Sequence, residues 1–286
     1  MITSENMGKK SSPLRSLIII GSVLAAAIIL LIVGFVFLFS GGERTMPDPG
    51  PFTVPDINVT FTKLDTKKFY KDKGFIHYSD GDRKSKTGVD VSYAQKEINW
   101  PKVKAAGVDY AMVRAGFRGY ESGKLNIDEY FAKNMTGARN AGLETGVYFF
   151  SQATTSAEAE EEANFVLDLI KDYSITCPVA YDWEPVTHDT ARTDNLAGEE
   201  LCECALAFCR TIEQNGYKPV IYASLNLLRE QFDKYDMEVI SEYNLWLAEY
   251  KDHPEFPYKF VMWQYTDEGR VDGINNETDL NLYYEY

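Results

Sequence analysis

The sequence predicts an α/β fold: an irregular β/α barrel preceded by one N-terminal transmembrane helix. Three observations lead there. From residue 87 onward, short apolar β-leaning runs alternate with amphipathic helix-like runs. That alternation is the pattern of a parallel sheet, and closure into a barrel suits about eight strands. After residue 224 the helix-like runs shrink, so the second half of this TIM-barrel-like fold should have strands without full helices. Ahead of the barrel, residues 17–39 form an uncharged apolar run of 23 residues. As a helix it would be roughly 35 Å long, enough to cross a bilayer.

Taking the chain in order, Lys9, Lys10 and Arg15 precede the apolar run, while Glu43 and Arg44 follow it. This flank keeps the short basic segment 1–16 in the cytoplasm. A cleaved signal peptide is the competing reading, and it would end in secretion. Its apolar core is usually shorter, however, and the Ala25-Ala26-Ala27 run lies mid-segment and not at the end. An uncleaved signal-anchor at 17–39 is therefore expected, single-pass in the cell membrane, with the bulk of the chain outside the cytoplasm.

Residues 40–86 form a linker and lead-in. Gly41 to Pro55 is rich in Gly and Pro and leaves the membrane as a linker. Residues 56–86 are locally basic, with Lys63, Lys67, Lys68 and Lys71 interleaved among aromatics. They fit a hairpin-like lead-in turning at Ser79-Asp80-Gly81-Asp82, with a solvated basic face. A stalk lying against anionic wall polymers is the other reading.

The barrel elements follow over 87–286. Residues 87–92 are strand-like, and 98–106 a helix opened by Trp100-Pro101, with proline in its first turn. A strand is expected at 110–116, a helix at 128–141 and a strand at 143–151. The helix expected at 156–173 has acidic first turns (Glu158, Glu160, Glu161, Glu162), as the helix dipole favours. Residues 177–182 are the next strand, and the helix at 198–215 is stopped by Gly216. Strands at 218–224, 243–250 and 260–267 complete the series, with only a short helix at 225–232 among them.

Composition limits what the chain can do. Its 43 acidic residues outnumber 29 basic ones, a formal net charge of −14, and residues 1–42 hold three of the bases against one acid. Such a surface repels nucleic acid, so no nucleic-acid partner is expected. The three histidines (His77, His188, His253) have no ligand spacing, and zinc or another cofactor is not expected. Of four cysteines, Cys202, Cys204 and Cys209 share one helix and cannot reach each other, so only Cys177 has a geometric route to a bridge. Small buried hydrophobes are the more natural role for all four. Gly119 to Lys124 is one residue short of a phosphate loop, and no Gly-x-Ser-x-Gly elbow occurs.

The candidate chemistry sits at strand ends. Asp182 and Glu184 lie two residues apart at the end of an apolar strand, so they share a face. Crowding and desolvation there raise at least one pKa, which keeps a carboxylic acid protonated near neutral pH as a general acid. The spacing alone fits a solvated pair equally well. Asp90, Arg114, Tyr148, Tyr222, Gln264 and Asp279 fall at the ends of other strands, with Trp183 and Trp246 beside them. In a barrel those ends form one face. Acids and aromatics together suit a carbohydrate, whose C–H faces stack on rings and whose hydroxyls bond carboxylates.

With these residues assembled, the chain resembles glycoside hydrolase family 25, the Chalaropsis-type lysozymes. Gly88-Val-Asp-Val-Ser92 with Gln95 and Ile98-Asn-Trp100 is similar to the family's opening motif. Tyr110-Ala-Met-Val-Arg-Ala-Gly-Phe117, Gly146-Val-Tyr-Phe-Phe150, Tyr181-Asp-Trp-Glu184, Trp246-Leu-Ala248, Met262-Trp-Gln-Tyr265 and Thr278-Asp-Leu-Asn281 follow in order. Lys96 stands where the family usually has glycine, and Asn99 where it usually has aspartate. The resemblance implies a peptidoglycan muramidase that cuts the β-1,4 bond between N-acetylmuramic acid and N-acetylglucosamine. It assigns Glu184 as general acid, Asp182 as the group orienting the substrate's N-acetyl group, and Asp90 and Asp279 as further active-site acids. Tyr148, Trp183, Tyr222, Trp246, Gln264 and Arg114 would bind substrate. The partner is then the peptidoglycan glycan strand, met by a domain facing the cell wall. A non-catalytic wall-binding or sensor module on the same fold is the alternative.

Overall fold

The structure, a computed structural model, describes residues 58–81, 84–187, 189–230 and 236–284. The expected cytoplasmic segment, membrane span and Gly/Pro-rich linker lie outside the described residues. Among the described residues no helix is long and apolar enough to cross a membrane.

Alternation along each strand builds two cores. In β7 (Val179–Asp182), Val179 and Tyr181 join an outer apolar layer, whereas Ala180 joins an inner one. In β9 (Asn244–Ala248), Leu245 and Leu247 belong to the outer layer, Trp246 and Ala248 to the inner. A period of two on a closed sheet has this result: odd and even residues fill different compartments.

Closure is observed directly. Around the barrel run β3 (Lys86–Val91), β4 (Tyr110–Arg118), β6 (Glu144–Phe150), β7, β8 (Pro219–Ser224), β9, β10 (Met262–Gly269) and β11 (Thr278–Tyr283), while the short β5 (Leu125–Ile127) pairs antiparallel with the end of β4. The pairings of β3 with both β4 and β11 close the ring. Neighbours are parallel except at β11, which is antiparallel to β10 and to β3. Inside the ring, Gly88 of β3 faces Tyr110 of β4, and a Cβ on Gly88 would lie 2.1 Å from the Tyr110 ring. Only glycine leaves room for that phenol in the barrel.

Helices cover the outside where the expected elements placed them, with one short unexpected helix at Met237–Ile240. They are α1 (Trp100–Ala105), α2 (Phe131–Asn140), α3 (Ser156–Ile170), α4 (Gly198–Gln214) and the short α5 (Leu225–Glu230) and α6 (Met237–Ile240). Pro101 occupies the first turn of α1, and Asn99 accepts the Lys102 N–H at its start. Thr155 caps α3, and Gly216, at φ +83°, follows the end of α4. Between β9 and β10 there is no helix. The expected irregular second half is present.

One expectation needs correction. The TIM-barrel-like ring, expected to be irregular through its missing helices, is also irregular in strand direction: residues 278–283 form β11, which runs antiparallel because it follows β10 without a crossover helix. Besides the expected turn, which the antiparallel Ser79–Lys84 bridge brackets, the lead-in holds a hairpin turning at Lys73-Gly74 that was not expected. It pairs β1 (Phe69–Asp72) with β2 (Phe75–Tyr78) through two positive-φ residues, 51° and 86°, the geometry that suits tight hairpin turns. A single Ser79–Lys84 bridge then leads β2 into β3. All four cysteines are buried, as expected of small hydrophobes.

The hairpin packs on the barrel. Phe75, Ile76 and Tyr78 are buried in the outer core, the Phe69 ring meets Trp263 edge-on at 5.5 Å, and the Ile76 N–H donates to the Tyr265 hydroxyl. Burying a large side chain in this way contributes about 1.5–3 kcal/mol.

Candidate active site

The C-terminal mouth of the barrel gathers the carboxyl groups. Asp90 is the penultimate residue of β3, on the inward phase; Asp182 ends β7, and Glu184 follows two residues later on the same phase. Asp279 arrives differently. It is near the start of β11, but β11 runs backwards, so its first residues lie beside the last residues of β3, with Asp279 paired to Asp90. Asp90 and Asp182 are each 6% exposed, and Glu184 and Asp279 are half-buried.

A hydrogen-bond web fixes which oxygen carries charge. The Trp246 indole N–H, a donor only, points at Asn281 Oδ1 (2.8 Å). Asn281 must therefore turn its Nδ2 to Asp90 Oδ2 (2.7 Å). Gln264 does the same from the other side, donating Nε2 to Asp90 Oδ2 (3.0 Å) while its Oε1 accepts from the Tyr222 and Tyr250 hydroxyls. Two donors on one oxygen favour the carboxylate form of Asp90. Burial opposes them and moves its pKa up to about 6. Asp279 is pushed to about 9 by burial and by the Asp90 charge beside it, so it keeps its proton and shares it with Asp90.

Glu184 is raised to about 7 by burial first and the Asp90 charge second. Asp182 is raised well above the ordinary range by burial, then by Glu184 and Asp90. Its Oδ1 is buried and has no hydrogen-bond partner within the chain. An unpaired buried carboxyl oxygen is costly, and a ligand N–H or O–H would satisfy it. The mouth thus offers a Glu184 carboxyl raised to the neutral range, an unpartnered acceptor in Asp182 Oδ1, a proton-holding Asp279, and an Asp90 carboxyl fixed by two donors.

The other expected residues separate into three groups. Tyr148, Tyr222 and Gln264 line the interior beneath the acids, with the Tyr222 and Trp246 rings edge-on at 5.2 Å. Trp246 is 2% exposed, and its contribution is the hydrogen bond that orients Asn281. Trp183 is also 2% exposed but lies in the outer core, because it falls on the opposite phase from Asp182 and Glu184. Arg114 ion-pairs with Asp128 at 2.7 Å, and its guanidinium lies 4.9 Å from the Tyr93 ring; its charge lowers the Asp182 pKa against the larger opposing effects. Sequence reasoning missed Asn281 and Tyr250 as site residues. Asn281 was within reach of the same period-two argument, two residues after Asp279; Tyr250 follows the end of β9, where no strand periodicity points.

Among the described residues no group of three His, Cys, Asp or Glu side chains is placed to hold a metal ion.

Comparison with known proteins matches residues 89–274 to the model of the glycosyl hydrolases family 25. The uncharacterised protein YegX of Escherichia coli is 28% identical over 201 residues, 68% of each chain. Lysozyme M1 of Streptomyces globisporus is 28% identical over 204 residues, covering 68% of this chain and 67% of the lysozyme. Among solved structures, the modular autolysin LytC of Streptococcus pneumoniae, in complex with a synthetic peptidoglycan ligand, superposes with a TM-score of 0.62 at 26% identity. That match covers 80% of this chain but only 53% of the autolysin.

Proposed function

This chain belongs to the glycosyl hydrolases family 25, and from that premise we propose that it is a peptidoglycan muramidase with Glu184 as its general acid. The observation that carries the reading is the pairing at the end of β7: a carboxylic acid raised to about 7 next to a buried carboxyl oxygen without a partner. The peptidoglycan ligand of the related autolysin supports the substrate class.

In this reading the sugar chain lies across the barrel mouth with the β-1,4 bond between N-acetylmuramic acid and N-acetylglucosamine over Glu184. The Glu184 proton passes to the glycosidic oxygen as its bond to the anomeric carbon breaks. Asp182 accepts the acetamido N–H through its unpartnered Oδ1, and the acetamido oxygen bonds to the anomeric carbon as the leaving oxygen departs, giving a cyclic intermediate. Water then opens the cyclic intermediate, giving its proton to the Glu184 carboxylate, and the acid is restored. Two carboxyls on adjacent inward positions of one strand suit this substrate-assisted course better than a widely separated inverting pair. Asp90 holds Glu184 protonated through its charge, and Asp279 buffers Asp90. Tyr148, Tyr222 and Gln264 shape the floor, and Arg114 lies at its edge.

Release of reducing ends from purified peptidoglycan by the detergent-solubilised full-length chain tests the activity. Binding without release, equal in the wild type and in Glu184→Gln, would turn the reading to the non-catalytic wall-binding module. The apolar run 17–39 supports the further proposal of a signal-anchor that leaves the barrel on the wall side of the membrane. Protease should then remove the C-terminal domain in intact, wall-stripped cells. Protection of the domain, or a mature N-terminus near residue 41, would contradict it.

A further inference from the structure

The end of β7 is held from behind by the two residues that follow β6. The Ser151 N–H donates to the Asp182 carbonyl at 2.7 Å. Gln152, fully buried, donates its Nε2 to the Glu184 carbonyl at 3.2 Å, and its Oε1 accepts the Thr193 hydroxyl at 2.8 Å. The carbonyl can only accept, so Nε2 must face Glu184 and Oε1 must face Thr193. Thr193, itself 1% exposed, lies in the segment that carries the chain from β7 to α4. One amide therefore joins the point where the chain leaves the strand to the point where it returns toward the helix.

Gln152 is in turn fixed from α3. Glu162, fully buried, accepts the Ser151 hydroxyl at 2.6 Å, the Gln152 N–H at 3.4 Å and the Arg118 Nε at 2.7 Å. Arg118, 3% exposed, also donates to the carbonyls of Gly123 and Glu158. A buried ion pair with its remaining hydrogen bonds filled is rigid, and rigid support is what a reacting group needs.

We propose that Gln152 is a positioning residue for the general acid: its amide locks the backbone from which Glu184 projects and ties down the segment beside it through Thr193. The inference rests on the assignment of Glu184 as the acid. Gln152 touches the backbone of Glu184 and reaches the substrate only through it. The groups that face the Glu184 carboxyl, namely Asp90, Asp182, Tyr222 and Tyr250, are not among the hydrogen-bond partners of the Gln152 side chain.

The full-length enzyme tests this with Gln152→Met, which keeps length and removes both hydrogen bonds, and with Thr193→Val against Thr193→Ser. Gln152→Met should lower kcat about 10–100-fold, the scale of a misplacement of about 1 Å, with KM unchanged. The alkaline limb of the kcat profile should move to lower pH, because a displaced Glu184 regains water. Thr193→Val should shift both in the same direction, and Thr193→Ser, which keeps the hydroxyl, should restore them. A folded Gln152→Met with wild-type kcat, or a loss of kcat with the pH limb unmoved, overturns the role. Should Gln152→Met fail to fold, the Thr193 pair decides by the same two readouts. Glu184→Gln is assayed alongside: if it turns over, the acid assignment itself fails. If it is inactive while Gln152→Met is fully active, only the positioning role fails.

Discussion

Glu184→Gln should separate activity from stability. The amide is isosteric and keeps the backbone held by Gln152, but it has no proton to give the leaving oxygen. Loss of general acid catalysis lowers turnover about 10²–10⁴-fold. Stability should move the other way. The Glu184 pKa rises from 4.5 to about 7 on folding. Between those values the native state holds a proton that the unfolded chain has lost, so stability falls as pH rises through that window and levels off above it. Each pKa unit is worth 1.36 kcal/mol, and the full shift amounts to about 3 kcal/mol. Glutamine has nothing to ionise and escapes this loss. The variant should match the wild type near pH 4 and melt higher at pH 8, by up to roughly 5–10 °C for a domain of this size. Calorimetry at the two pH values and reducing-end release at neutral pH measure both effects. A stability difference that is the same at pH 4 and pH 8 would refute the buried, proton-holding acid. Retained turnover, combined with a severe loss in Asp182→Asn, would exchange the two roles.

Asp90→Asn should move the alkaline limb of kcat to lower pH, since the Asp90 charge helps hold Glu184 up; an unmoved limb in the pH–rate profile would contradict it. Trp246→Phe should cost about 1–3 kcal/mol in denaturant unfolding, because Asn281 Oδ1 loses its partner inside the barrel, and should lower turnover as Asn281 becomes free to turn. Wild-type stability would show that Asn281 finds another donor. Lys96 adopts φ 54° and ψ −129°, a conformation that favours glycine. Lys96→Gly should relieve about 1–3 kcal/mol of strain while losing the contact of Nζ with the Tyr93 ring, worth about 0.5–1 kcal/mol. A net gain of about 1 kcal/mol in urea unfolding is expected, and a net loss would show the lysine contacts to be the stronger effect.

The sequence by itself determined most of the strand-and-helix order between residues 87 and 267, the inward phase shared by Asp182 and Glu184, and the crowding that raises their pKa values. These follow from local rules: a period of two along strands, caps and breakers at helix ends, and the cost of placing carboxyls together. It also marked Lys96 as unusual, and the positive φ there supplies the reason the resemblance has glycine at that place. The tertiary structure decided what depends on pairing. The direction of β11 brings Asp279 to Asp90 from opposite ends of the barrel sequence, and no periodicity within residues 278–283 encodes whether that strand runs up or down. Trp183 follows the end of β7 and Trp246 lies in the middle of β9, and closure of the sheet sends one to the outer core and the other beneath the acids. Gln152 was invisible for the same reason. Its meaning lies in two bonds to residues 32 and 41 positions away, and such contacts exist only once the sheet has closed.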